Sequence, residues 1–278
     1  MRILNLGAGV QSTALALMAK QGDIEPFDYA VFADTMAEPN KVYDHLKWLI
    51  DELTFPVLVR SRGNLTNNIK NGINNDGGRF CSLPFFTGDE GRNSGITRRQ
   101  CTSEYKIKVV EKTIRYEILK LQPRQHIPKN MNIVQIMGLS YDEPTRIAKV
   151  KARHASNNWK VEFPLYDLEM TRTDCINWLK EYGVPHETPR SACTFCPYHS
   201  DAEWKRIKEQ DPESWKQAVE VDRIIRDKSM RATQAYNDKL WLHRSCTPLD
   251  SVDFDKWKDA RGQSYFGFSN ECEGMCGV

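Results

Sequence analysis

No stretch of this sequence is long and apolar enough to read as a membrane span. The apolar start from Leu4 to Met18 is broken by Gly, Asn, Gln, Ser and Thr, with only Arg2 as a basic residue before it. A secretory leader needs a basic segment and an unbroken apolar one, so a cytoplasmic protein with no membrane partner is expected. Charge of one sign is lacking as well. The 39 Lys+Arg and 37 Asp+Glu residues leave a formal net charge of +2, which does not by itself demand nucleic acid or an anionic surface as partner. There is no internal repeat and no linker clear enough to divide the chain. The glycine turn near the start has no Lys-Ser/Thr pair after it, which excludes a Walker loop, and no third glycine to complete a dinucleotide fingerprint.

What is there begins with MRILNLGAGVQSTALALMAK. Ile3, Leu4 and Leu6 suit a buried strand, Gly7 and Gly9 allow close approach of backbone to a ligand, and Ser12 and Thr13 stand where a helix begins. Free N–H groups and the dipole at a helix N-terminus favour an oxyanion, so Gly7, Gly9, Gln11, Ser12 and Thr13 form a candidate phosphate cradle. A second buried strand, 29–33, runs into Asp34, Thr35 and Glu38 before a helix over 40–53. In a doubly wound sheet those residues lie beside the first loop, beyond the strand ends, although Asp34 or Thr35 equally suits a helix cap. A third strand is expected over 56–59 and a fourth over 132–137, the latter opening into Gly138 to Arg146. From 63 to 100 the pattern fails, and an excursion of that length reads as a functional loop, a lid or a flexible segment.

Eight cysteines without a leader argue against a disulfide framework and for metal or redox chemistry. Cys193 and Cys196 have the two-residue spacing that lets both thiolates face one ion. Cys101 opens a helix predicted over 102–121, where the dipole favours a thiolate. The spacing leaves iron-sulfur ligation, zinc with His199 or a further cysteine, and unliganded thiols all open. Cys272 and Cys276 near the end stand as a catalytic nucleophile, a resolving pair or exposed bystanders, whereas Cys81, Cys175 and Cys246 read as buried small residues. The segment 201–228 is strongly helical, and Trp204, Ile207, Trp215 and Val219 need no cofactor to explain them.

Taken together, GAGVQS at 7–12, DTMAE at 34–38, RQCTSEYK at 99–106, GLSYDEPTR at 138–146 and CTFC at 193–196 resemble the phosphoadenosine-phosphosulfate and adenosine-phosphosulfate reductase family, within the PP-loop ATP-pyrophosphatase superfamily. Gly7 replaces the opening serine of the family's loop and Gln11 its acidic position, Cys101 lacks the adjacent cysteine of the iron-sulfur subgroup, and Glu273 follows Cys272 where the family's terminal segment has glycine. The resemblance implies an α/β fold: an open, mostly parallel sheet flanked by helices, of the adenine nucleotide alpha hydrolase-like kind. A nucleotide-binding domain over 1–200, with 63–100 inserted, would precede a smaller helical C-terminal region over 201–278. It implies an enzyme binding ATP with Mg2+, or a sulfonucleotide, through Gly7, Gly9, Gln11, Ser12, Thr13, Asp34, Thr35, Glu38, Gly138 and Arg146. It also implies a 4Fe-4S cluster on Cys101, Cys193 and Cys196, with Cys272 and Cys276 as catalytic thiols. The favoured activity is ATP-dependent sulfur transfer to a nucleobase or similar acceptor, with a nucleic-acid acceptor and a thioredoxin-like or sulfur-donor protein as partners. Thiol-dependent sulfonucleotide reduction is the alternative. A zinc-stabilised nucleic-acid-binding module, using Arg92, Arg98 and Arg99, is the rival of another class.

Overall fold

Five parallel strands make the central sheet, which reads across as Val57–Ser61, Tyr29–Asp34, Arg2–Leu6, Val134–Met137 and Lys160–Glu162. The computed structural model describes residues 1–74, 83–128, 131–154, 159–227 and 237–255. The sheet strands are β1 (Arg2–Leu6), β2 (Tyr29–Asp34), β3 (Val57–Ser61), β6 (Val134–Met137) and β7 (Lys160–Glu162). Alternate side chains of the inner strands serve two cores, as the pleat requires: Leu4, Leu6 and Phe32 join one, while Ile3, Val31 and Ala33 join the other. On the first face lie α1 (Val10–Gln21), α2 (Asn40–Glu52) and α7 (Arg172–Tyr182). Every residue of α1 from Val10 to Ala19 is buried, so this helix is sandwiched between sheet and neighbours instead of being amphipathic.

The opposite face is covered by α4, one continuous helical stretch of Thr102–Ile107, Lys108–Lys112 and Thr113–Ile118 whose two outer segments are wound as π-helix. Beside it runs α5 (Pro144–His154), packed through Ile147 and Val150 against Ile107, Met137 and Phe163. A short helix, α6 (Pro164–Asp167), leads to α7, whose Thr171 cap accepts from the Asp174 N–H while Asp174 accepts from the Thr171 N–H. Gly183 closes α7 in the left-handed conformation, φ 89°.

The segment 63–100 is not a formless lid over its described part. It carries α3 (Leu65–Asn71), capped by the Asn64 side chain, and a hairpin of β4 (Phe86–Asp89) and β5 (Arg92–Ile96). The hairpin is bulged at Gly88, where a Cβ would stand 2.0 Å from the Arg92 carbonyl oxygen. β4 also pairs antiparallel with β8 (Leu240–Trp241), giving a second sheet in the order β5-β4-β8. The two C-terminal helices, α8 (Asp201–Gln210) and α9 (Pro212–Arg226), share a core with this insertion: Leu65, Ile69, Leu83 and Phe85 pack with Trp204, Ile207, Val221 and Leu240. Insertion and C-terminal helices therefore bury one another. Among the described residues no helix is long and apolar enough to cross a membrane.

Candidate functional site

Strand order sets the place. The chain steps outward from β1 to β2 and β3, then returns to lay β6 and β7 on the other side of β1, so loops leave the carboxyl ends of β1 and β6 in opposite directions. A crevice at such a switch point is where open α/β sheets bind ligands. Ser12 sits in the first turn of α1, and its Oγ accepts from the N–H groups of Gly7 at 3.2 Å and Gly9 at 3.3 Å. Ala8 between them holds φ 57°, a left-handed conformation that costs a non-glycine residue about 1 kcal/mol and folds the loop tightly. From the β6 side, Gly138 presses on the same turn: a Cβ there would lie 3.0 Å from the Ser12 nitrogen, so glycine is what lets the two backbones meet.

Gln11 then bridges the loops. Its Nε2 donates to Ser140 Oγ at 2.9 Å and to Glu143 Oε2 at 2.7 Å, and Glu143 also pairs with Arg146. Of the residues the sequence nominates for nucleotide binding, Gly7, Gly9, Gln11, Ser12, Gly138 and Arg146 thus come together at the switch point. Thr13 belongs elsewhere: its hydroxyl is 2.9 Å from the buried His45 Nε2, and His45 Nδ1 is 2.8 Å from Nε2 of the exposed His186, a chain that runs from the core to the surface. Burial, then the neighbouring His186, pushes His45 down to about 4.

The β2 loop makes a second centre. Because Leu6 pairs with Phe32, the residues following β1 and β2 lie side by side. Asp34 is occupied locally, accepting from the Met36 N–H at 2.7 Å and from Tyr43 Oη at 2.8 Å. Burial, with the Asp34 carboxylate behind it, raises the Tyr43 phenol well above its ordinary value, so this hydroxyl stays a donor. Thr35 and Glu38 turn inward. Glu38 Oε1 is 3.3 Å from Lys106 Nζ, 3.4 Å from Thr35 Oγ1 and 3.9 Å from Cys193 Sγ, while Cys193 Sγ is 3.3 Å from Thr35 Oγ1. The Lys106 and Glu38 side chains are only 6% and 0% exposed, a buried ion pair. The Thr194 N–H donates to the Ala37 carbonyl at 2.9 Å and fastens the Cys193–Cys196 turn to this loop.

Cys101, at the head of α4, packs on the same apolar cluster as Cys193, and both Cys101 and Cys196 act electrostatically on the Tyr198 phenol. Burial raises that phenol, and the Arg99 guanidinium, 4.9 Å over the ring, opposes the rise. His199 Nε2 donates to the Cys193 carbonyl at 2.9 Å, and burial with nearby Arg190 lowers the imidazole pKa to about 4. Buried polar atoms stand beside the cysteines without a hydrogen-bond partner among the described residues: Thr102 Oγ1, Ser191 Oγ and His199 Nδ1. Three soft sulfur donors with idle polar groups in the flanking segments fit a thiolate-bound metal or cluster in donor chemistry. No three His, Cys, Asp or Glu side chains among the described residues are gathered around one point. Cys175 and Cys246 are buried, and burial pushes the Cys246 thiol up to about 11, an inert thiol. Cys81, Cys272 and Cys276 lie outside the described residues.

Sequence reasoning passed over four residues of these centres. Lys106 has a signal: it is a lysine inside the run Tyr105, Ile107, Val109 and Val110, where only a paired charge is tolerated. His45 stands on the apolar stripe of α2 with Val42, Leu46 and Leu49. Ser140 and Glu143 carry no signal beyond lying in a rim loop. No protein-family model matches the chain, and no curated protein matches it.

Proposed function

We propose that this chain is an adenine-nucleotide enzyme of sulfur chemistry, favoured as an ATP-dependent sulfurtransferase acting on a nucleobase or similar carbonyl acceptor. The observation that carries the reading is the convergence of the Gly7–Ser12 turn and the Gly138–Arg146 loop at the switch point, one β-strand away from a buried cysteine centre. Phosphates of a magnesium nucleotide would be held by the loop N–H groups, Gln11 and Arg146, and the acceptor carbonyl oxygen attacks the α-phosphorus, releasing pyrophosphate. A sulfur nucleophile then attacks the adenylated carbon and AMP leaves with the oxygen, so the acceptor exchanges oxygen for sulfur. The N–H groups of Gly7 and Gly9 serve as fixed dipoles for the charge that accumulates on the phosphates. Cys101, Cys193 and Cys196 would hold a 4Fe-4S cluster, which when bound supplies an iron that can present inorganic sulfur. The Lys106–Glu38 pair keeps the buried region around Cys193 electrically balanced.

The test is product analysis on protein purified without oxygen, with iron, acid-labile sulfide and zinc measured on wild type and Cys193→Ala. Iron and sulfide in near-equal amounts, lost in Cys193→Ala, together with AMP and pyrophosphate formed from ATP, are expected. Sulfite released from a sulfonucleotide by a metal-free protein would instead mark thiol-dependent reduction. Zinc alone, with salt-sensitive nucleic-acid binding and indifference to nucleotide, would mark the binding module.

A further inference from the structure

The donors at the switch point are already engaged by the chain itself. Glu143 Oε2 accepts from Gln11 Nε2 at 2.7 Å and from the Ser140 N–H at 3.3 Å, with Ser140 Oγ also 3.3 Å away, and Glu143 Oε1 pairs with Arg146 Nη1. Ser140 Oγ has one proton, and its 2.5 Å contact with Asp142 Oδ1 claims it, so the working donors to Glu143 are the backbone N–H, the carboxamide and the guanidinium. A backbone amide, a side-chain amide and an arginine around one anionic group are the donor set a phosphate oxygen takes. Gln11 is 2% exposed and Ser140 0%, so these donors are shielded from bulk water.

A local account covers part of this. Ser140 and Arg146 each lie three residues from Glu143, the spacing of a helix start and of an i,i+3 ion pair. It does not cover Gln11, which reaches Glu143 across 132 residues of sequence from the first turn of α1. In the neighbouring half of the cradle Ser12 Oγ accepts from the Gly7 and Gly9 N–H groups and shapes the turn.

We propose that the Ser140 N–H, Gln11 and Arg146 form an oxyanion subsite for a nucleotide phosphate, and that the Glu143 carboxylate occupies it in the free protein as a displaceable internal competitor. The inference rests on the nucleotide reading above. An entering phosphate takes over the Gln11 and Arg146 donors, and Glu143 swings to solvent; its side chain is 14% exposed, so the exit is short. The carboxylate thereby sets how much phosphate charge a ligand must bring, which favours di- and triphosphate groups over a monophosphate.

Inorganic pyrophosphate and magnesium ATP, each titrated calorimetrically into the full chain as wild type, Glu143→Gln and Glu143→Ala, test this. Glu143→Gln keeps the shape of the loop and removes the competing charge, so pyrophosphate binding is expected to tighten about tenfold, the scale of one charge-assisted hydrogen bond. Arg146→Ala is expected to weaken it in either background. Far-UV circular dichroism monitors α5, and if Glu143→Ala loses structure the Gln variant still decides. Pyrophosphate binding that is unchanged or weaker in Glu143→Gln overturns the proposal and makes Glu143 a structural cap; if wild type nevertheless binds ATP, the nucleotide reading survives it. Tighter pyrophosphate binding with no binding of ATP upholds the subsite and removes the adenine-nucleotide reading.

Discussion

Glu38 and Glu143 stand at the same rim of the same parallel sheet, in opposite surroundings. Glu38 is sealed beneath the β2 loop, its side chain 0% exposed, with a buried lysine as its counter-charge and a thiol at its edge. Glu143 sits in the loop after β6, its side chain 14% exposed, with partners that are all donors a ligand can use. The lesson is that a carboxylate's neighbours, more than its position in the fold, decide whether it is fixed or exchangeable. Removing the first exposes an uncompensated buried charge, whereas removing the second releases donors.

Breaking the Glu38 side has the largest expected effect. Glu38→Ala strands the Lys106 ammonium and should cost about 3–5 kcal/mol in urea unfolding, while joint replacement of both by apolar residues of similar volume should recover most of it. Glu143→Gln in the same experiment should cost less, about 1–2 kcal/mol, the scale of a charge-assisted hydrogen bond at a partly buried carboxylate whose shape the amide keeps. Next comes acid. His45 has a folded pKa of about 4, depressed from 6.5, so its contribution is complete above 6.5 and is lost as pH falls through 6.5 towards 4. That window is worth about 3 kcal/mol at most, and His45→Gln should flatten the acid limb of the stability curve by about one proton. Gly138→Ala forces a Cβ to 3.0 Å from the Ser12 nitrogen and should cost about 1–3 kcal/mol while distorting the cradle, so nucleotide affinity should fall with stability. The smallest effect is remote from both carboxylates: Thr171→Ala removes a helix cap, should cost about 1 kcal/mol and should leave nucleotide affinity unchanged.

The inner strands were legible because their signals are local, while their parallel arrangement was implied by the family resemblance. Buried runs such as 29–33 and turns such as Gly7–Gly9 announce themselves, and the carboxyl rim follows from the order of elements. The hairpin within 63–100 was not legible, since β5 reads RNSGI, is exposed at every position and shows no alternation of apolar residues. Its stability comes from pairing and from the core shared with α8 and α9, which no local window contains. Within the candidate site, nomination by loop names a neighbourhood and is silent about direction. Ser12 and Thr13 are consecutive, yet helical geometry sends one hydroxyl to the glycine turn and the other 2.9 Å from His45. Thr35 and Glu38 likewise turn away from the cradle towards Cys193, because Lys106 arrives from α4 to neutralise the carboxylate there.

That divergence of two adjacent hydroxyls gives the most direct test of the switch-point site. Calorimetric titration of magnesium ATP into wild type, Ser12→Ala and Thr13→Val should show affinity falling about tenfold or more in Ser12→Ala, the cost of one lost hydrogen bond to a charged ligand, and staying within about twofold in Thr13→Val. Equal losses in the two variants, or none in either, would contradict a nucleotide site at the Gly7–Ser12 turn.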